Sequence, residues 1–497
     1  MSPSRFTSDK LDDLIQKLTA IRDRMLQLEA MHSQDVTLAG DEYKASARNL
    51  LHYLALRQHD IRELQVELSH FGLSSLGRAK SHTLASVDAV LAVLHRLANR
   101  GYARPDGFEL PVDFTSGPAL LERHTSLLLG EGNPERPTRI MVTLPSQAAT
   151  EYDLVLGLAS AGMDIARINS AHDSPDQWQK MVRNVRRASR QVEKHIQLMM
   201  DLSGPKQRTE GIQGGHLTAS RGDHLAVLPP DSKGLQVPEH FGERRVHCSL
   251  PEIIRDVRVG HRIWFDDGKL GGVVISEEGG FLEVEITHAR PGGGKLRNEK
   301  GINLPDTDLQ TPSLTEKDLC DLDFAAKNVD MVGFSFVRSG EDVLLLEDCL
   351  TERGGDHIGI VLKIENAKAF ENLPRLLLVG LRSPPLGVMV ARGDLAVEVG
   401  FERLAEAQEE ILWLSEAAHV PVIWATQVLE SLAKKGLPSR AEVTDAAMSV
   451  RAECVMLNKG PHITDAVLFL DNILRRMQSH QQKKRATLRR LSVSDLS

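Results

Sequence analysis

The chain has 497 residues, 41% of them apolar and 26% charged, with a formal net charge of −8. That length is too great for one ordinary domain and sets two or three as the expectation for a soluble globular protein. The acidic balance without a basic stripe argues against a nucleic-acid partner, and no apolar run is long enough to span a bilayer.

Cys248, Cys320, Cys349 and Cys454 lie far apart with no CxxC pair, so neither zinc nor a disulfide framework is expected. The opening "MSPSRFTSDKLDDL" lacks the apolar core of a signal peptide, which points to a cytoplasmic protein. Residues 1–135 read as an N-terminal helical domain. Leu11, Leu14, Leu18, Ile21, Met25 and Leu28 recur at three- and four-residue spacing, and "NLLHYLALRQHDIRELQVEL" and "LASVDAVLAVLHRLANR" repeat the pattern. "GEGNPERPTR" combines Gly, Pro and charge without a period and reads as a linker.

A rhythm of short apolar runs follows. They are "RIMVTL" (139–144), "DIARINS" (164–170), "IQLMMDL" (196–202), "MVGFSFV" (331–337), "GIVLKIE" (359–365), "GVMVARG" (387–393), "PVIWATQ" (421–427) and "CVMLNKG" (454–460). Helical segments separate most of them. Eight wholly apolar strands alternating with helices predict a closed parallel (β/α)8 TIM barrel, an α/β fold, rather than an open doubly wound sheet. The barrel is expected in two parts, 138–205 and 311–480. Between them, at 206–310, β-type runs with Gly-rich turns predict a small inserted β-domain acting as a lid. Residues 481–497, with "QQKKRATLRR", read as a solvated basic tail.

A barrel of this kind gathers its reacting groups at the C-terminal strand ends. Those ends carry Arg167 and Asn169, Asp201, Ser335 and Arg338, Lys363 and Glu365, Arg392 and Asp394, and Thr426 with Gln427. Any one of them is unremarkable at a loop; the set is informative. Glu365 and Asp394 are hard oxygen donors suited to Mg²⁺, which takes one or two carboxylates and completes its shell with water and phosphate. Lys363, two residues before Glu365, should face the same side of the pleat. Arg167 adds a forked phosphate donor. The Gly393–Asp394 junction is expected to offer free backbone N–H groups to an anion near a helix start. No Walker loop or kinase-type Gly-rich loop is present, so any nucleotide would be held differently.

In order and spacing, "AGMDIARINSAHD", "MDLSGPKQRTEG", "WFDDGKL", "EKGINLP", "MVGFSFVRS", "LKIENAKAF", "VMVARGDLAVEVG" and "ATQVLES" resemble the pyruvate kinase family over about 138–475. The resemblance implies phosphoryl transfer from phosphoenolpyruvate to ADP, giving pyruvate and ATP, with Mg²⁺ (Mn²⁺ as a substitute) on Glu365 and Asp394. It makes Lys363, Arg167 and Thr426 catalytic. It places the substrate against Arg167, Lys363, Gly393, Asp394, Thr426 and Ser335, and the nucleotide against Asn169, His172, Arg208 and Lys300. Asn169, Asp201 and Leu202 would correspond to a monovalent-cation site. There the family's "NFSHG" is "NSAHD", with Ala171 for a serine, and Lys206 stands where many members have Glu. A tethered ammonium implies no requirement for K⁺.

Other departures bear on the nucleotide and on regulation. The family's "SGET" is "NKGPH" at 458–462, and "TIGPAS" is "TLPSQA". The family's C-terminal effector domain is expected to be absent, and with it the usual route of activation. A homo-oligomer is expected. Two competing readings keep the barrel. One is a lyase or phosphomutase acting on enolpyruvate compounds, weakened by the lid and Lys300. The other is a non-catalytic phosphoenolpyruvate-binding or regulatory protein, weakened because Arg167, Lys363, Glu365, Asp394 and Thr426 are all retained.

Overall fold

Eight short apolar runs close on themselves in the computed structural model, which describes residues 8–104, 108–383, 385–478, 480–482 and 485–486. They are β1 (Arg139–Thr143), β2 (Ile165–Asn169), β3 (Gln197–Asp201), β4 (Met331–Phe334), β5 (Gly359–Ile364), β6 (Leu386–Ala391), β7 (Val422–Ala425) and β8 (Cys454–Leu457). Each pairs in parallel with its sequence neighbours, and β8 returns to β1 with Arg139 opposite Cys454 and Val142 opposite Leu457. The barrel is therefore closed, as the rhythm of runs predicts.

Apart from Asn169 and Gln197, every residue in these strands is buried. Helices cover the outside and side chains fill the inside, which is why the runs lack an apolar–polar alternation. Met141, Met199, Met331, Met389 and Met456 fill the interior with Ile165, Val361 and Ile423. Unbranched thioethers fit the irregular space between tilted strands. Ser174, Thr315, Ser339 and Ser439 each form a capping box that starts the outer helices Pro175–Gln191, Glu316–Asn328, Gly340–Thr351 and Arg440–Met448.

The N-terminal region forms α1 (Ser8–Met31), α2 (Ser33–Leu38), α3 (Lys44–Arg57), α4 (Arg62–His70), α5 (Thr83–Leu97) and α6 (Ser116–Leu129). The periodic residues of α1, from Leu11 to Leu28, are buried along one face. α6 does something the sequence does not announce: Leu128 and Leu129 join the barrel's interior cluster. Leu128 sits between Gly359 and Gly387, where a Cβ on either glycine would lie 2.4 Å from its methyl carbons. α6 thus plugs the N-terminal mouth of the barrel, opposite the rim formed by the C-terminal strand ends.

The segment after α6, expected to be a linker, is instead an anchor. Arg136 is 1% exposed, pairs with Asp164 at 2.8 Å and Asp471 at 2.7 Å, and donates to the Gly162 carbonyl. Arg139 is equally buried and donates to the carbonyls of Gly130 and Pro137. The two arginines of this stretch are buried and bonded, while Glu131 and Glu135 face solvent.

Between β3 and β4 the chain builds a seven-stranded sheet with a core of its own, including Phe265, Val274, Leu282 and Ile286. Its central hairpin pairs Leu270–Ser276 with Leu282–Ala289, as the Gly-rich turns predict. One pair, His224–Leu228 beside Arg245–Cys248, is parallel. The two connections to the barrel are zipped together, Ile302 N–H to the Gln207 carbonyl at 2.9 Å and Thr209 N–H to that of Lys300 at 2.8 Å. The inserted sheet therefore hangs from a paired hinge.

Of the expected basic tail, 481–482 and 485–486 form a short strand pair, and the rest lies outside the described residues. Among the described residues no helix is long and apolar enough to cross a membrane.

Candidate active site

Parallel strands deliver all their C-terminal ends to one rim, so residues hundreds of positions apart meet there. A cavity of about 160 Å³ opens at that rim. Arg167 and Asn169 enter it from β2, Asp201 from β3, Ser335 from just past β4, and Lys363 and Glu365 from the end of β5. Asp394, in the first turn of the helix after β6, and Thr426, just past β7, complete the ring.

The centre is a charge network. Lys363 Nζ lies 3.1 Å from Asp201 Oδ2 and 2.9 Å from Glu365 Oε1, and bonds Ser335 Oγ at 2.6 Å. Arg167 pairs with the same Asp201 oxygen and donates to Thr143 Oγ1 at 2.9 Å. Lys363 and Glu365 both face inward, as their two-residue spacing requires. Burial works against the Lys363 ammonium, but Asp201 and Glu365 outweigh it and hold its pKa above the ordinary lysine value. Asp201 likewise resists its burial because Arg167 and Lys363 hold its carboxyl below the usual range. Glu365 goes the other way. Burial raises its pKa, Lys363 offsets this only in part, and Asp394 and Asp201 add to the rise.

That asymmetry tests the fit of a metal. Asp201 is the natural counter-ion of the two cations, which leaves Glu365 crowded by two other carboxylates. A divalent cation held by Glu365 and Asp394 would relieve that crowding, and hard oxygen donors suit Mg²⁺. Among the described residues no group of three or more His, Cys, Asp or Glu is arranged as a metal cage. Two carboxylates plus substrate and water fit an ion that keeps several waters.

Lys206, from the first hinge connection, reaches into the cavity and places Nζ 2.9 Å from both Asp394 oxygens. It does not pair with Asp201. The Leu202 carbonyl, expected at the same site, accepts from Ser335 Oγ at 2.6 Å. Thr426 has φ +64°, an outlying backbone conformation for a β-branched residue. The turn brings its Oγ1 to 2.8 Å from the Gly393 N–H, which donates to it. That N–H is therefore not free, contrary to the sequence reading.

Arg392 lies away from the cavity. Its guanidinium donates to the carbonyls of Ala425 and Thr426, pairs with Asp445 at 2.9 Å through Nη2, and stacks 4.9 Å over Trp424. Of the four residues expected at the nucleotide, Asn169 and Arg208 line the cavity. His172 does not, but it sits among cations. Burial first, then Lys459, Arg208 and Arg167, push its pKa down, with Asp173 opposing. Lys300 turns to Asp266, 3.3 Å away.

Sequence reasoning missed Asn303, which ends the second hinge strand and donates to Asp394 Oδ1 at 3.4 Å and Glu398 Oε1 at 3.1 Å. It lies within "EKGINLP", but nothing in that string announces a contact with Asp394.

A family model described as the pyruvate kinase barrel domain matches residues 135–461. The chain belongs to the pyruvate kinase family. It is 36% identical to the pyruvate kinase of Corynebacterium efficiens over 338 residues, which covers 66% of this chain and 67% of that protein. It is 34% identical to pyruvate kinase 2 of Trypanosoma brucei brucei over 354 residues, 69% and 68% of the two chains. For the pyruvate kinase of Geobacillus stearothermophilus the values are 31% over 353 residues, 69% and 57%. Helices α1 to α6 precede the stretch that the pyruvate kinase model matches.

Proposed function

We propose that this chain transfers the phosphoryl group of phosphoenolpyruvate to ADP, at the rim described above. The P–O bond of the enol phosphate breaks, a bond to the terminal ADP oxygen forms, and the enolate takes a proton to become pyruvate. Catalysis of such a transfer is mostly positioning and charge stabilisation. Lys363, held charged by Asp201 and Glu365, faces the moving phosphoryl group. Arg167, oriented by Asp201 and Thr143, binds its oxygens. The Thr426 hydroxyl, oriented by the Gly393 N–H, and the Asp394 backbone hold the substrate carboxylate, and Thr426 stands at the face where the enolate is protonated. Glu365 and Asp394 would hold Mg²⁺, with Mn²⁺ as a substitute, supplying positive charge beside the phosphate. Asn169 and Arg208 contact the nucleotide phosphates, and His172 and Lys300 reach them when the lid closes. The reading extends to a cytoplasmic homo-oligomer.

The observation that carries this is the meeting of Lys363, Glu365, Asp201 and Arg167 in one network at the rim. A coupled pyruvate assay with Lys363→Met tests it. Removing a donor aimed at developing charge should cut kcat by about 10²–10³ with KM nearly unchanged. Equal turnover in the two proteins would remove Lys363 from the reaction. No turnover in the unaltered protein would favour a binding role.

A further inference from the structure

The helix Arg392–Val399 carries two carboxylates one turn apart, Asp394 and Glu398, and the Asn303 side chain lies between them. Asn303 Nδ2 donates to Asp394 Oδ1 at 3.4 Å and to Glu398 Oε1 at 3.1 Å. Its two N–H groups are thus divided between positions i and i+4 of one helix. Like charges at that spacing repel, and a donor placed between them offsets the repulsion.

The amide can face these carboxylates one way only. Its oxygen turned toward Asp394 and Glu398 would set acceptor against acceptor, so the nitrogen points at them. That orientation has a consequence. Asn303 is 4% exposed, and its Oδ1 is buried with no hydrogen-bond partner within the protein, which costs about 1–3 kcal/mol. Leucine, of similar size, would fill the same space without that penalty. What asparagine adds is the pair of donors.

Asn303 and Asp394 belong to different parts of the molecule. Asn303 sits opposite Trp264 in the inserted sheet, on the short strand Ile302–Asn303 that returns the chain to the barrel, whereas Asp394 stands at the barrel rim. The bond between them therefore crosses from lid to barrel. Lys206, from the other hinge connection, lies 2.9 Å from both Asp394 oxygens, so each connection sends one side chain to the same carboxylate. The two grips differ. The Lys206 ammonium repels a cation bound at Asp394, while the uncharged amide of Asn303 can keep its bond when a cation is there. We propose that Asn303 is a positioning residue: anchored on Glu398, it aims the Asp394 carboxylate at a divalent cation shared with Glu365. The proposal rests on the reading of Asp394 and Glu365 as metal ligands. Carboxylates that hold a metal are commonly hydrogen-bonded in turn, and loss of such a partner weakens metal binding by about 10–100-fold.

Mn²⁺ titration of the intact protein, without substrate or nucleotide and followed through water-proton relaxation, tests this. Asn303→Leu should raise the Mn²⁺ Kd by about tenfold or more. Asn303→Ser, whose hydroxyl is too short to bridge both carboxylates, should raise it in the same direction, with thermal unfolding confirming that both variants fold. Ile302→Ala loosens the same hinge strand but removes no bond to Asp394. It should lower the unfolding temperature and leave the Mn²⁺ Kd unchanged. In the coupled pyruvate assay, Asn303→Leu should need more Mg²⁺ for half-maximal rate, and saturating Mg²⁺ should restore most of kcat. An unchanged Mn²⁺ Kd in both Asn303 variants would overturn the proposal. Equal weakening in Ile302→Ala would also overturn it, since the effect would then be one of hinge packing. Glu365→Gln checks the reading underneath. Mn²⁺ binding that weakens in Glu365→Gln but not in Asn303→Leu defeats the positioning role alone. Mn²⁺ binding untouched by Glu365→Gln, or absent from the unaltered protein, defeats the metal reading and the positioning role with it.

Discussion

At the scale of single residues, the two ammonium groups of the rim have different partners and so different duties. Lys363 is fixed by Asp201, Glu365 and Ser335 where a phosphoryl group would pass. Lys206 is partly exposed, pairs with Asp394 and lies 5.7 Å over the Phe336 ring, on the first hinge connection. On the proposed reading it would stand in for a monovalent cation, although it sits at Asp394 rather than at Asp201. Turnover should therefore be nearly independent of added K⁺, and Lys206→Met should create a K⁺ requirement. Near-zero turnover of the unaltered protein until K⁺ is supplied would defeat that role. Arg392 makes the contrasting case. It shares a strand end with Asp394, and position alone cannot separate them; only the packing shows that one guanidinium is spent on Asp445 and two carbonyls. Arg392→Met leaves Asp445 without its partner and should cost about 3–5 kcal/mol in chemical denaturation. Adding Asp445→Leu should recover much of that loss. If the double variant is no more stable than the single one, the pair is not what holds this turn.

The strands were legible because each obeys a local rule, a wholly apolar run where both faces are buried; the S/T-x-x-D/E/Q boxes that start four of the outer helices are local signals of the same kind. Lys363 and Glu365 were legible for the same kind of reason, since a period of two fixes their side of the pleat. The plug and the hinge were not. α6 reads as one more amphipathic helix, and Leu128 differs from its neighbours only by the two glycines facing it, 231 and 259 residues further on. Asn303 becomes informative only when the hinge strands zip. Leu128→Ala should empty a closed space and destabilise the protein by about 2–5 kcal/mol in urea. Gly359→Ala, which brings a Cβ to 2.4 Å of the same side chain, should also destabilise it. If Gly359→Ala alone is destabilising and Leu128→Ala is neutral, the leucine fills no necessary space.

At the scale of the whole molecule, the N-terminal helices share one continuous core with the outer layer of the barrel. The Gly40 N–H donates to the Leu381 carbonyl at 3.0 Å, and Asn49 Nδ2 to that of Ala417 at 2.8 Å. His419, fully buried at this seam, links the two parts on three sides. Its Nε2–H donates to the Ser81 carbonyl, its Nδ1 accepts from Ser46 Oγ, and its own carbonyl accepts from His124 Nδ1. Burial first, with His124 and His82 adding repulsion, pulls the His419 pKa from 6.5 down to about 4, while the Ser81 carbonyl opposes the fall. The folded protein thus refuses a proton that the unfolded chain accepts below pH 6.5, so stability falls as the pH drops. Above that pH the imidazole is neutral in both states and contributes no slope. Between the two pKa values the loss is about 1.4 kcal/mol per pH unit, or roughly 3 kcal/mol in all, and it levels off once the folded imidazole is itself protonated. His124, whose burial also lowers its pKa, should add to the fall. Unfolding free energies measured in urea across this range should show the slope in the unaltered protein and a smaller one in His419→Gln, which keeps a donor and an acceptor but does not titrate. Identical slopes would mean that the seam is not what acid attacks first.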